Sequence, residues 1–189
     1  MAHRHRIQRN WGPRVREVVY HGMDLVSLEN EKLRVGVLAG KGTDVVELNY
    51  KPRDLDFAWY TPQGVRNPVT NFNTLPNALA TFSDSYPGGW QECFPNGGIG
   101  SEAYGASYGQ HGEVAVLPWD VTVDEETEQT AAVTFGVRTI KSPFQIAKTM
   151  RVDAGSATLR LDETIRNLSG QALGTMWGQH LAWGRPFLD

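Results

Sequence analysis

Between Val133 and Arg138 every second residue is apolar: Val133, Phe135 and Val137 are separated by Thr134, Gly136 and Arg138. An extended chain turns successive side chains to opposite faces, so this period predicts a strand with one packed and one wet face. The stretch after Gly155-Ser156 repeats it, with Leu159, Leu161 and Ile165 alternating with Arg160, Asp162, Thr164 and Arg166. Residues 33–37 and 45–50 flank Gly40-Lys41-Gly42, which predicts two paired strands about a turn. Asn167-Leu168-Ser169-Gly170 supplies another turn, built from residues that accept unusual backbone angles. Acidic Asp124-Glu125-Glu126-Thr127-Glu128 reads as a solvated hairpin tip. Sustained helical periodicity is nearly absent. Short strands between such turns predict an all-β fold, an antiparallel β-sandwich.

The chain has 189 residues, enough for one domain with a sizeable core. Residues 17–189 are expected to form that domain. Residues 1–16 carry the one basic cluster (His3-Arg4-His5-Arg6, Arg9, Arg14 and Arg16) and are expected to be a solvated, poorly ordered tail. A net charge of -3 gives no reason to expect nucleic acid as a partner. Cys93 is alone, so no intrachain disulfide framework is available. No segment approaches the ~20 apolar residues of a membrane span, and none resembles a signal peptide. The expectation is a cytoplasmic protein without a membrane partner.

The middle of the chain differs in character. From Pro87 to Gly112 there are eight glycines in 26 residues, interleaved with Trp90, Phe94, Tyr104 and Tyr108. A flexible linker would be richer in Ser and charge and poorer in aromatics. Long ordered loops of this kind usually carry function, and aromatic, glycine-rich ones suit flat hydroxylated ligands.

Two of the five histidines stand out. His111 closes the glycine-rich loop in Gln110-His111-Gly112 and is expected to open a strand ending at Pro118-Trp119-Asp120. There it either reaches a pocket at the sheet or bonds to turn backbone. His180 lies between two tryptophans in Trp177-Gly178-Gln179-His180-Leu181-Ala182-Trp183. Burial there favours neutral imidazole, and a satisfied core histidine is the competing reading. Among the carboxylates, Glu92 is the acidic residue in the core of the aromatic loop. With Gln91 and Asn96 it offers the donors and acceptors that sugar hydroxyls need. Strand alternation would turn Glu113 to the face of His111. Nucleotide-loop, serine-elbow and zinc-ligand patterns are absent, so no metal and no cofactor is expected.

The order of these pieces resembles the aldose 1-epimerase (galactose mutarotase) superfamily. Residues 163–170 followed by Trp177-Gly178-Gln179-His180-Leu181-Ala182-Trp183 are similar to a family strand and turn that lead into a Gly-x-His-Pro signature. Leu181 stands where that signature has proline. His111-Gly112 followed by Trp119 resembles the family's His-Gly segment. The Gly88–Gly98 loop is similar to the double-glycine segment of a sugar-phosphate branch, and more so to a branch reading Gly-Gly-Trp-Gln-Glu-x-Phe-Pro-Asn-Gly-Gly. Pro87 replaces the arginine expected in the phosphate branch, which argues against a phosphorylated substrate.

The resemblance implies a galactose mutarotase-like supersandwich binding a small-molecule sugar, and an isomerase that interconverts sugar anomers. It makes His180 the catalytic acid and His111 the residue that orients the sugar; with them Gln91, Glu92, Asn96 and Trp90 are the expected substrate-binding residues. Anomer interconversion also needs a base, which the resemblance places on a strand far downstream of His180. Only nine residues follow His180. A fold incomplete at the C-terminus is the favoured expectation; strands from another chain, or Glu92 or Glu113 as substitute bases, are the alternatives. Unfinished sheet edges would favour self-association. A carbohydrate-binding domain without catalysis is the rival function.

Overall fold

The structure is a computed structural model and describes residues 11–70, 82–185 and 188. The basic cluster from His3 to Arg9 lies outside these. Along the described residues run thirteen strands: β1 (Arg14–Tyr20), β2 (Met23–Glu29), β3 (Leu33–Leu38), β4 (Asp44–Tyr50), β5 (Leu55–Asp56), β6 (Trp90–Cys93), β7 (Ser101–Ala103), β8 (Ala106–Tyr108), β9 (Asp120–Glu126), β10 (Thr130–Arg138), β11 (Phe144–Asp153), β12 (Leu159–Asn167) and β13 (Gly178–Leu181). The first sheet has the order β1-β2-β3-β4-β6-β13, with β5 on β4. The second has the order β12-β11-β10-β9, and β7 and β8 form a separate hairpin. Every pairing between these strands is antiparallel.

The alternations seen in the sequence become the inner faces of the two sheets. Val26, Leu28, Val35, Val37 and Val45 from the first sheet pack with Val133, Phe135, Ile146, Met150 and Val152 from the second. Leu159, Leu161 and Ile165 cover one side of this core from β12. The expected hairpin about residues 40–42 is present, with β3 and β4 paired from Leu33↔Tyr50 to Leu38↔Asp44. The acidic stretch runs from the end of β9, where Glu125 and Glu126 still pair with Ala132 and Ala131, into the hairpin tip at Thr127 and Glu128. Arg14 and Arg16 belong to β1, and Arg14 is buried in an ion pair with Glu29 (2.6 Å).

One expected strand is replaced. After His111 the chain forms a 3-10 turn at Val114–Val116. The segment is tethered at both ends: Glu113 N donates to Phe94 O (3.0 Å) and Trp119 N to Ala39 O (2.8 Å). Between them the Trp119 indole donates to Val114 O (3.1 Å). These bonds curl the segment across the end of β6.

Candidate functional site

Strand β6 enters the first sheet through the double glycine. Gly88 and Gly89 have φ of +94° and +74°, and a Cβ would meet Trp59 O at 2.0 Å and Val45 O at 2.3 Å. No side chain fits there, so the backbone passes close enough for Val45↔Trp90 pairing. On its other side β6 pairs with β13, Glu92 opposite Gln179 and Gln91 opposite His180. Residues opposite one another share a face, and neighbours along a strand do not. The two strands therefore present two separate sets of side chains, one to the second sheet and one away from it.

The set facing away holds the histidines. The His111 and His180 rings lie 5.0 Å apart, tilted by 57°. Phe82 meets both edge-on, at 4.5 Å from His111 and 5.8 Å from His180, and Tyr86 meets His180 at 5.2 Å. Phe82 and Tyr86 stack on one another at 5.4 Å. His111 is aimed by its loop: its φ is +60°, its N–H donates to Gly98 O (2.8 Å), and Nδ1 lies 3.0 Å from Gly97 O. A carbonyl only accepts, so Nδ1 carries the proton and Nε2 takes the Gln110 amide at 3.3 Å. His180 is held differently. Its Nδ1 is buried and has no partner among the described residues.

Beneath the rings a polar row crosses the sheet. Asp44 follows from the Val45↔Trp90 pair as the neighbour of Gln91, and Gln91 lies opposite His180. Asp44 and Lys41 are each 0% exposed and form an ion pair. Among the described residues Asp44 Oδ1 and Gln91 Oε1, like His180 Nδ1, lack partners. Burial pushes Asp44 above the usual carboxylate range against the pull of Lys41. Burial lowers the His180 pKa, and the nearby His111 lowers it further, so the neutral ring dominates near pH 7. Cys93, also buried, is pushed up to about 11 by burial and by the charges of Glu92 and Asp44, which leaves it a thiol.

The set facing the second sheet is a closed polar network. Glu92 is 1% exposed and Lys148 of β11 is 2% exposed. Their ion pair is 3.2 Å long, and the Lys148 ammonium lies 5.3 Å from the Trp119 ring centre. The Trp177 indole donates to Glu92 Oε1, and Gln179 Nε2 donates to Oε2 (2.8 Å). The same amide lies 3.3 Å from both oxygens of Glu163 on β12, while its own oxygen accepts from the Trp90 indole. Glu92 and Glu163 thus meet at one amide, and each shifts the other's pKa. Two carboxylates on one amide repel unless one of them keeps a proton. Burial, then Glu92, holds Glu163 up to about 7. Glu92 stays below the usual range because Lys148 and its hydrogen-bond donors outweigh burial.

The structure thus brings together His180, His111 and Gln91, and it separates them from Glu92 and Trp90, which lie on the opposite face. Asn96 takes an intermediate place: its side chain receives the Gly98 N–H (3.1 Å) and donates to Ile99 O, bracing the loop that carries His111. Glu113 is not beside His111. The positive φ at both His111 and Gly112 breaks the alternation, and the carboxylate instead binds Ile140 N (2.7 Å), Lys141 N (2.9 Å) and Ser142 Oγ (2.8 Å). The alternation itself carried a signal for Lys148 and Glu163. Both stand at inward positions, Lys148 between Ile146 and Met150 and Glu163 between Leu161 and Ile165. A charge at an apolar parity implies a buried partner. Phe82 and Asp44 had no such mark, because their places depend on strand order. Among the described residues no group of three or more His, Cys, Asp or Glu is placed to hold a metal, and no helix is long and apolar enough to cross a membrane.

Solved structures share this architecture. A candidate aldose 1-epimerase from Klebsiella pneumoniae superposes with a TM-score of 0.67 at 18% identity, covering 81% of this chain and 43% of that one. A galactose mutarotase-like protein from Clostridium acetobutylicum gives 0.64 at 14% identity, covering 93% and 55%. A galactose mutarotase related enzyme from Lactobacillus acidophilus gives 0.59 at 16% identity, covering 86% and 49%. The chain spans about half the length of these proteins. A search of curated proteins gives no match. The fold is therefore that of the galactose mutarotase-like β-sandwiches. Within it, the chain belongs to the family described as Domain of unknown function (DUF4432), whose model matches residues 20–189.

Proposed function

We propose that the pocket of His111 and His180 binds an aldose and that the protein acts as an aldose 1-epimerase, with His180 as the proton donor to the ring oxygen. The observation that carries this reading is the 5.0 Å approach of two imidazoles 69 positions apart, under the stacked rings of Phe82 and Tyr86. Aromatic faces suit the apolar faces of a sugar ring. Exchange of a proton at the ring oxygen is within the range of a positioned imidazole, typically worth ~10²–10⁴-fold. The fold of the compared structures supports the same reading. Polarimetry with a panel of common aldoses tests it: acceleration of anomer interconversion is expected for at least one, and no acceleration for any of them overturns the enzyme reading.

A second reading, sugar binding without catalysis, is favoured by the carboxylates. Glu92 and Glu113 are both spent on other contacts, and Asp44 is buried against Lys41. On this reading sugars perturb tryptophan fluorescence saturably, His180→Ala changes affinity, and no anomer rate is altered. Absence of saturable binding across the panel removes both readings.

A further inference from the structure

Strand β13 carries His180 outward and Gln179 inward on adjacent residues. It is four residues long and pairs only with β6 among the described strands. What ties its inward side down is the Gln179 amide, which reaches a carboxylate on each sheet: Glu92 on β6 and Glu163 on β12. An amide of this kind has two hydrogens to give, and here each carboxylate takes one. The Trp90 indole occupies the amide oxygen, so the group is fixed at both ends.

The charge balance of this cluster is uneven. Glu92 and Glu163 face one cation, Lys148, with Trp177, Trp90 and Gln179 as neutral donors from β6 and the β13 segment. Asp44 is the further carboxylate within electrostatic reach of Lys148, across the first sheet. With one proton between the two glutamates, the pair and Lys148 sum to zero. Without it, the cluster carries an unmatched negative charge, and the two carboxylates on the Gln179 amide repel each other.

We propose that Glu163 is a positioning residue for the histidine pocket: sharing one proton with Glu92 across the Gln179 amide, it clamps β13 to the second sheet, and loss of that proton loosens the clamp and shifts His180. The effect on the ring is indirect, because Glu163 lies on the other side of the sheet. The proposal rests on the histidine pocket being the functional site, but its test needs no sugar. Trp90 and Trp177 both donate into the cluster and serve as reporters.

Tryptophan emission of the full chain is followed from about pH 5 to about pH 9, a span that brackets a carboxylate raised by burial and a neighbouring carboxylate. The wild type is expected to show a one-proton transition with a midpoint near 7, and His180→Gln is expected to retain it. Glu163→Gln, whose amide keeps the neutral form of the clamp, is expected to lose the transition and to emit at high pH as the wild type does at low pH. The imidazole nitrogen resonances of His180 are expected to shift with the same midpoint in the wild type and not in Glu163→Gln, with far-ultraviolet circular dichroism showing both folded. A wild type without the transition, a Glu163→Gln protein that keeps it, or a His180 ring that does not follow it overturns the proposal. Failure of sugar binding would leave these results intact, so the two readings fail separately.

Discussion

The two faces of the β6–β13 pair are built from adjacent residues and solve opposite problems. On the inner face Glu92, Gln179, Lys148 and the two indoles satisfy one another, with Glu92 and Lys148 buried, Gln179 half-buried and Trp177 at the surface. On the outer face Asp44 Oδ1, Gln91 Oε1 and His180 Nδ1 are buried without partners among the described residues. Buried polar atoms are nearly always paired, so three exceptions in one row, beside the His111 ring and the stacked aromatic rings, leave this face with bonding capacity that the inner face does not have. A satisfied network holds shape.

The largest effect expected from this contrast is on the inner side. Lys148→Met leaves Glu92 charged and buried without its cation, which is expected to cost about 3–5 kcal/mol of stability in urea denaturation. Adding Glu92→Gln should recover much of that loss, since a neutral amide needs no counter-ion. A Lys148→Met protein within about 1 kcal/mol of wild type would remove the inner face as a structural element.

Next comes the outer side. His180→Ala is expected to lower the anomer-exchange rate by ~10²-fold or more while shifting the denaturation midpoint little, because Nδ1 gives up no bond. A large stability loss with unchanged rate would reverse the roles assigned to the two faces. A smaller effect separates both faces from their surroundings. Glu113→Gln weakens the bonds to Ile140 N, Lys141 N and Ser142 Oγ between β10 and β11, and is expected to cost about 1–3 kcal/mol with sugar affinity unaltered. Altered affinity in that variant would return Glu113 to the site.

The contrast also explains what the sequence could disclose. The sandwich was legible because Val133, Phe135 and Val137, or Leu159, Leu161 and Ile165, declare their face locally through a period of two. The histidine pair was legible through motif order. Glu92 was misgrouped with the histidines because Gly88–Gly98 reads as one loop, whereas Trp90–Cys93 is a strand whose neighbours point to opposite sides. Asp44 was hidden for a different reason: it meets Gln91 only because β6 inserts beside β4, through the Val45↔Trp90 pairing of residues 45 positions apart in the chain that no local pattern encodes.

The finest test of the two faces is their opposed response to pH. Burial and His111 lower the His180 pKa, so the folded protein binds that proton less tightly than the unfolded chain, whose histidine titrates at about 6.5. Stability is then lost as pH falls below that value. Glu163 works the other way. Its folded-state value, up to about 7, means that the folded protein keeps a proton the unfolded chain has released, so stability is lost as pH rises from the ordinary carboxylate range toward 7. Between the ordinary carboxylate range and neutrality the two slopes oppose each other, and the wild-type profile is expected to be flatter than that of either variant. His180→Gln should unmask a stability that declines with rising pH, and Glu163→Gln one that climbs. Urea midpoints measured across that interval decide the matter: parallel profiles for the two variants would mean that the faces do not titrate as separate regions, because each substitution would then be removing the same proton.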